Sequence, residues 1–254
     1  MPPGSETEVQ LPPRIEWAQH RAWLDHHWLA GQHVSIIAPT GGGKSYLIRH
    51  GLLPLWEEYR VLIIDSKGGE DATWAGYGQV VHEFPAAERG GQPPDREQGP
   101  RIYRLISPGF EWSPALKRES DGLRRARTVV GSALDLAFRQ RDWVIVADET
   151  RALTDSVASF GLGLRGLLEM IWQRGRALNV TLVAGTQAPR YVPSSFYDQP
   201  SLVYVGRTLD GRAQDRLDEI GGDTRAIQAT MRALRRRDFL VVERDSGRML
   251  ITQV

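Results

Sequence analysis

The run APTGGGKSY at residues 38–46 constrains this chain more than any other segment. It follows HVSIIA, an apolar β-rich run, and leads into KSYLIRHGL, which opens as a helix. Consecutive glycines let successive backbone N–H groups curl around an anion, and the start of the helix adds its positive dipole end. The general pattern is Gly, four residues, then Gly-Lys-Ser/Thr; here Ala38 takes the first Gly position and Gly43-Lys44-Ser45 are intact. That first position mainly requires a small residue, which Ala supplies. Pro39, Thr40, Gly41, Gly42, Gly43 and Tyr46 would then surround a polyphosphate. Lys44 would reach the β- and γ-phosphates, and Ser45 would hold Mg²⁺. The expected ligand is a nucleoside triphosphate.

A second run, WVIVADET, ends four apolar residues and one small residue in Asp148 and Glu149. An Asp at the carboxyl end of a parallel strand sits where such sheets bind ligands. Asp148 is expected to hold Mg²⁺ through water, and Glu149 to polarise an attacking water. The pair favours ATP hydrolysis over simple nucleotide binding. A third buried run, VTLVAGTQ, closes on Thr186 and Gln187, and the Gln187 amide is placed to sense a γ-phosphate or orient water.

The 254 residues suit one α/β domain, and 41% hydrophobic with 25% charged residues excludes a largely disordered chain. No apolar run approaches the roughly 18 residues a membrane span needs, and the N-terminus lacks the layout of a secretory signal. No membrane insertion is expected, and the cytoplasm is the expected compartment. With no cysteine, disulfides and thiolate metal sites are excluded. The net charge of +1 excludes a global field for nucleic acid, so DNA binding would need a local patch. Of 32 basic residues only Lys44, Lys67 and Lys117 are lysines. Two of these fall within the motifs, where a compact ammonium is useful.

Residues 1–14 read as a flexible tail and 15–254 as one domain, with 85–100 an exposed loop or insertion. Strands are expected at HVSIIAP, 59–65, 79–84, 101–106, 143–149, 180–187 and 201–206. Two more, DFLVVER and RMLITQV, flank the hairpin signal DSG. Helices are expected near 15–30, 115–140, 153–175, 211–219 and 224–236. Strands alternating with helices give a mostly parallel sheet flanked by helices, with a C-terminal β-hairpin.

Four blocks in order, APTGGGKS, LIIDSKGGE, VIVADE and GRALNVTLVAGTQAP, resemble the FtsK/HerA superfamily of DNA-pumping ATPases. The second departs from the family's Asp-Pro-Lys-Gly in carrying Ser66 for Pro; the fourth is the most specific. SLVYVGRTLDGRAQDRL is similar to the strand and Arg-bearing loop that follow. The resemblance spans about residues 30–254. It implies a RecA-like core of the ASCE type whose Thr-Gln strand lies between the two Walker strands. It also implies ATP and Mg²⁺ as cofactors, double-stranded DNA as substrate and a homo-oligomeric, usually hexameric, ring. An Arg acting on the neighbouring subunit falls at Arg176, with Arg174 and Arg207 as substitutes. A free-standing core of this size resembles viral genome-packaging ATPases, with a capsid vertex or portal protein as partner and the host cytoplasm as location. Conjugative or plasmid-transfer ATPases and an ATP-dependent remodeller that does not act on DNA are the alternatives.

Asp65 and Lys67 read either as a strand-end turn or as part of the active-site edge. Arg232, Arg235, Arg236 and Arg237 read as a solvated cluster that closes a helix C-terminus rather than as DNA ligands. Arg190, Tyr191 and the loop beginning TRALTDS are candidates for touching DNA.

Overall fold

A computed structural model describes residues 10–67, 72–83, 101–107, 121–156, 161–208 and 215–254. The proposed insertion at 85–100 lies outside these residues, as do 1–9 of the proposed tail. The end of that tail is docked: Arg14 makes a parallel bridge to Ile251 and forks both of its Nη groups onto the Asp238 carboxylate at 2.9 and 2.7 Å.

Nine strands form one sheet among the described residues. They are β1 (Val34–Ile37), β2 (Arg60–Ile64), β3 (Gln79–Val81), β4 (Ile102–Leu105), β5 (Trp143–Ala147), β6 (Thr181–Thr186), β7 (Leu202–Gly206), β8 (Asp238–Glu243) and β9 (Arg248–Gln253). Their order is β3-β4-β2-β5-β6-β1-β7-β8-β9. β1 to β7 pair in parallel, while β8 and β9 add on as an antiparallel hairpin. The expected architecture is the observed one.

The central strands are apolar throughout because both faces are covered, as a parallel sheet requires. Val34, Ile36, Val61, Ile63, Val144, Val146, Val183 and Tyr204 face one layer. It holds Leu24 of α1 (Trp17–His27) and Leu47, Ile48 and Trp56 of the segment after the glycine loop. Ile37, Leu62, Ile145, Leu182, Val203 and Leu240 face the other. That layer comes from α3 (Asp121–Gln140), α5 (Arg165–Arg174) and α7 (Thr224–Ala233), through Val130, Leu134, Leu168, Ile171, Ile227 and Met231. Asp223 caps α7, its carboxylate accepting from the N–H groups of Arg225 and Ala226. No described helix is long and apolar enough to cross a membrane.

Three expected helices take other forms; the one expected near 211–219 is, where described, a 3₁₀ turn at Asp215–Ile220. The helix after the glycine loop is α-helical only over α2 (Lys44–Tyr46), then widens into a π turn at Leu47–Leu52 and tightens into a 3₁₀ turn at Leu53–Trp56. Trp17 lies against Gly51 so closely that a Cβ there would sit 2.8 Å from its ring, and Pro54 stops the regular ladder. The long helix expected at 153–175 is two pieces, α4 (Thr150–Thr154) and α5. Between them Gly163 has φ +63°, and a Cβ on Gly161 would collide with the Asp155 carbonyl. A short helix, α6 (Ser195–Asp198), follows β6.

Candidate active site

The sheet order sets the site. β1 delivers the glycine loop, β6 lies beside it, and β5 lies beyond β6, so three carboxyl ends meet at one edge. The Thr-Gln strand thus separates the two acid- and lysine-bearing strands, as the resemblance implied. Gly43 caps α2 with φ +95°, and Gly41 has φ +72°; both are left-handed conformations that glycine takes without strain. Ala38 fits in place of glycine because Gly206 on β7 faces it: a Cβ on Gly206 would be 3.0 Å from that of Ala38. The Ala38 N–H donates to the Thr186 carbonyl at 3.2 Å, which joins loop and Thr-Gln strand at their roots.

Lys44 is buried, and its Nζ donates to both the carboxylate and the backbone carbonyl of Asp148. The Ser45 hydroxyl lies 3.2 and 3.1 Å from the two Asp148 oxygens. A hydroxyl and a carboxylate converging from β1 and β5 are hard oxygen donors, so Ser45 and Asp148 fit Mg²⁺. Lys67 Nζ stands 3.8 Å from the other Asp148 oxygen, which places it at the active-site edge. Asp65 takes the structural role: buried, it accepts from Arg104 at 2.9 and 2.6 Å and from the Lys67 N–H at 3.0 Å. It thereby fixes the turn that presents Lys67.

Glu149 is held by the Thr-Gln strand. Its Oε1 accepts from the Thr186 hydroxyl at 3.1 Å and its Oε2 from the Gln187 N–H at 3.3 Å. Burial pushes its carboxyl above the usual range, opposed by the Lys44 ammonium and by these two donors. A carboxylate with raised basicity and a fixed direction suits general-base work. The Gln187 side chain reaches the other way, its Oε1 accepting from the Thr40 hydroxyl at 2.7 Å. Thr186–Gln187 therefore couples the base to the glycine loop.

A cleft of about 540 Å³ beside these groups is lined in part by Thr40, Lys44, Ser45, Tyr46, Lys67 and Gln187. Arg236 and Arg237 also line it; like Arg232 and Arg235 they are exposed, and Arg232 lies in the last turn of α7, so the cluster is solvated and closes that helix as read, while two of its members border the cleft as well. Residues overlooked in the sequence include Gly185, where a Cβ would sit 2.6 Å from the Asp148 carbonyl and 2.9 Å from Lys44 Cδ. Only its place one residue before Thr-Gln hinted at this.

The three candidate arginines separate. Arg207 follows β7 and borders the glycine loop with Arg236 and Arg237. Arg174 ends α5, and Arg176 lies in the 3₁₀ turn Gly175–Leu178 that precedes β6. Arg176 is thus a strand's length, about 17 Å, from the cleft of its own chain. Arg190 and Tyr191 lie beyond β6, with Arg151 and Arg190 stacked on the Tyr191 ring at 4.1 and 4.4 Å.

Comparison of the whole structure with solved ones decides the fold. The genome-packaging NTPase B204 from Sulfolobus turreted icosahedral virus 2 superposes with TM-score 0.62 over 89% of this chain and 97% of its own, at 13% identity. The chain has a RecA-like P-loop ATPase fold. VirB4 of Thermoanaerobacter pseudethanolicus gives TM-score 0.61 over 87% of this chain and 88% of its own, at 15% identity. The pCW3 conjugation coupling protein TcpA gives 0.54 over 91% and 60%, at 15% identity. Other structures of B204 contain AMPPCP or ATP-gammaS. No protein-family model and no curated protein matches the sequence.

Proposed function

We propose that this chain is an ATPase that drives double-stranded DNA, packaging a viral genome into a preformed capsid. The observation that carries the hydrolytic part is Glu149 fixed by Thr186 and Gln187 one strand away from Lys44. A binding-only nucleotide module needs no such oriented base. Lys44 holds the β- and γ-phosphates, and Ser45 with Asp148 holds Mg²⁺, which supplies charge neutralisation on the phosphates. Glu149 accepts the proton of the attacking water, and Gln187, in touch with Thr40, registers the γ-phosphate. Arg176, at the far end of the sheet and a strand's length from its own cleft, serves a neighbouring subunit in a ring.

The fold shared with B204 supports the packaging reading, in which a capsid vertex or portal protein is the docking partner and host cytoplasm the setting. The fold shared with VirB4 and TcpA supports the second reading, DNA transfer in conjugation. Both readings require duplex-stimulated turnover. ATPase rate measured against duplex length at low salt should rise with duplex and fall steeply as salt rises, because phosphate contacts release counterions. No stimulation by any duplex would replace the DNA motor with a remodeller of other assemblies.

A further inference from the structure

The phosphate loop has a second basic flank that its motif does not contain. Arg236 and Arg237 belong to the turn between α7 and β8, and both line the cleft beside Lys44. With Arg207 they also line an adjoining cleft of about 310 Å³ whose other walls are Pro39, Thr40, Gly41 and Gly42. Arg236 Nη2 would be 3.8 Å from a Cβ at Gly41, and Arg237 Cγ 3.5 Å from one at Gly43. These side chains therefore reach the loop itself. Among the described residues, neither guanidinium has a hydrogen-bond or acidic partner. Three like charges around one loop repel each other, and an anion between them relieves that repulsion.

The backbone holds this arrangement under strain. Arg237 has φ +70°, a left-handed conformation that costs a non-glycine residue free energy and that clusters at functional sites. The turn cannot relax freely. Buried Asp238 accepts from the Arg235 N–H at 2.7 Å while the two Nη groups of Arg14 clamp its carboxylate. A strained turn, locked from behind, points two unpartnered cations at a phosphate loop.

Strand order gives the polarity of the ligand. Asp148, Glu149 and Gln187 come from β5 and β6, on one side of β1, and take the terminal phosphate. β7 and β8, which carry Arg207 and the Arg236–Arg237 turn, lie on the other side. We propose that Arg236 and Arg237 form a cis-acting clamp on the nucleoside-side phosphates of a nucleoside di- or triphosphate. This rests on the reading of the cleft as a nucleotide site.

Calorimetric titration of Mg-ADP and Mg-AMPPCP into the full chain tests it, with Arg236→Ala, Arg237→Ala and the double variant. Affinity for both nucleotides should fall by a similar factor, roughly tenfold or more in the double variant, as expected for charge-assisted hydrogen bonds. Arg237→Gly separates binding from folding. Glycine adopts the same φ without strain, so the melting temperature without nucleotide should hold or rise while ADP affinity falls. ADP affinity within twofold of wild type in the double variant would overturn the clamp. So would a loss confined to AMPPCP, which would place the pair at the γ-phosphate, or a loss confined to duplex DNA. A wild-type chain that binds neither nucleotide would instead overturn the reading of the cleft.

Discussion

Lys44 and Glu149 stand on opposite sides of Asp148 in function, and their substitutions should separate binding from chemistry. Lys44→Ala removes the ammonium proposed to meet the phosphates and leaves the buried Asp148 carboxylate without its closest cation. Nucleotide binding and turnover should both disappear. Glu149→Gln keeps an oxygen facing the Thr186 hydroxyl but loses the proton acceptor. Turnover should fall about 10²- to 10⁴-fold while Mg-AMPPCP affinity stays within a few-fold. Measuring both quantities on both variants decides the roles, and normal turnover in Glu149→Gln would reassign the base. At this scale the sequence was legible where chemistry is local. Gly43-Lys44-Ser45 and Asp148-Glu149 are short contiguous signals, each beside an apolar strand. The Thr186 contact to Glu149 and the space left by Gly185 arise between adjacent strands, and spacing along one chain does not encode them. That Arg236 and Arg237 also border the cleft was not legible for the same reason, since only strand order brings β8 near the loop.

Elements are joined at two buried histidines whose neutral state ties the fold to pH. His20 of α1 lies 2.8 Å from the Tyr204 hydroxyl of β7. His33, just before β1, has Nε2 3.0 Å from the Trp172 carbonyl, to which it donates, and its Nδ1 accepts the Leu182 N–H at 3.0 Å. It ties β1, α5 and β6 together beside the turn that carries Arg176. A Cβ on Gly175 would sit 2.8 Å from the His33 ring, so that turn packs directly on it. Burial, foremost, lowers both imidazoles from 6.5 to about 4, aided by Arg248 for His20 and by Arg176 for His33. Each is neutral in the fold and must charge more readily once unfolded. Their contribution is therefore complete above pH 6.5 and is lost as pH falls from 6.5 through 4, on the order of 3 kcal/mol each. Urea midpoints from pH 7.5 to 4.5 should drop steeply for wild type and less for the His20→Gln/His33→Gln variant. Parallel profiles would remove the histidines from the acid limit. The sheet and most helices were legible because apolar runs and glycine punctuation repeat along the chain. The π turn after Tyr46 was not, because Trp17 from a distant helix shapes it at Gly51.

The whole molecule places its cleft and Arg176 at opposite ends of one sheet. The cleft opens at the carboxyl ends of β1, β5 and β6, whereas Arg176 precedes the amino end of β6. No side-chain motion spans the length of that strand, so the proposed role of Arg176 at a phosphate site requires another copy of the chain. A head-to-tail contact that repeats this relation closes into a ring or runs on as a filament. Arg176 is held at that end from within its own chain: Gly31, with φ +83°, lets the segment before β1 press on it, since a Cβ there would lie 2.6 Å from its Cα. The Gly31 N–H also donates to the Thr181 hydroxyl at 3.1 Å, which fixes the turn to the start of β6. Arg176→Ala subunits should bind nucleotide normally yet hydrolyse it on the order of 10³-fold more slowly. Lys44→Ala subunits have a dead cleft but an intact Arg176. In an equal mixture, about a quarter of randomly formed head-to-tail interfaces pair a live cleft with a live arginine. ATPase of the mixture should then exceed that of either variant alone, though it stays well below wild type. Near-normal turnover in Arg176→Ala alone would dismiss the residue and turn attention to Arg174, which shares its end of the sheet. A large deficit with no recovery, after subunit exchange has been verified with labelled chains, would mean that every cleft in the ring must fire in turn.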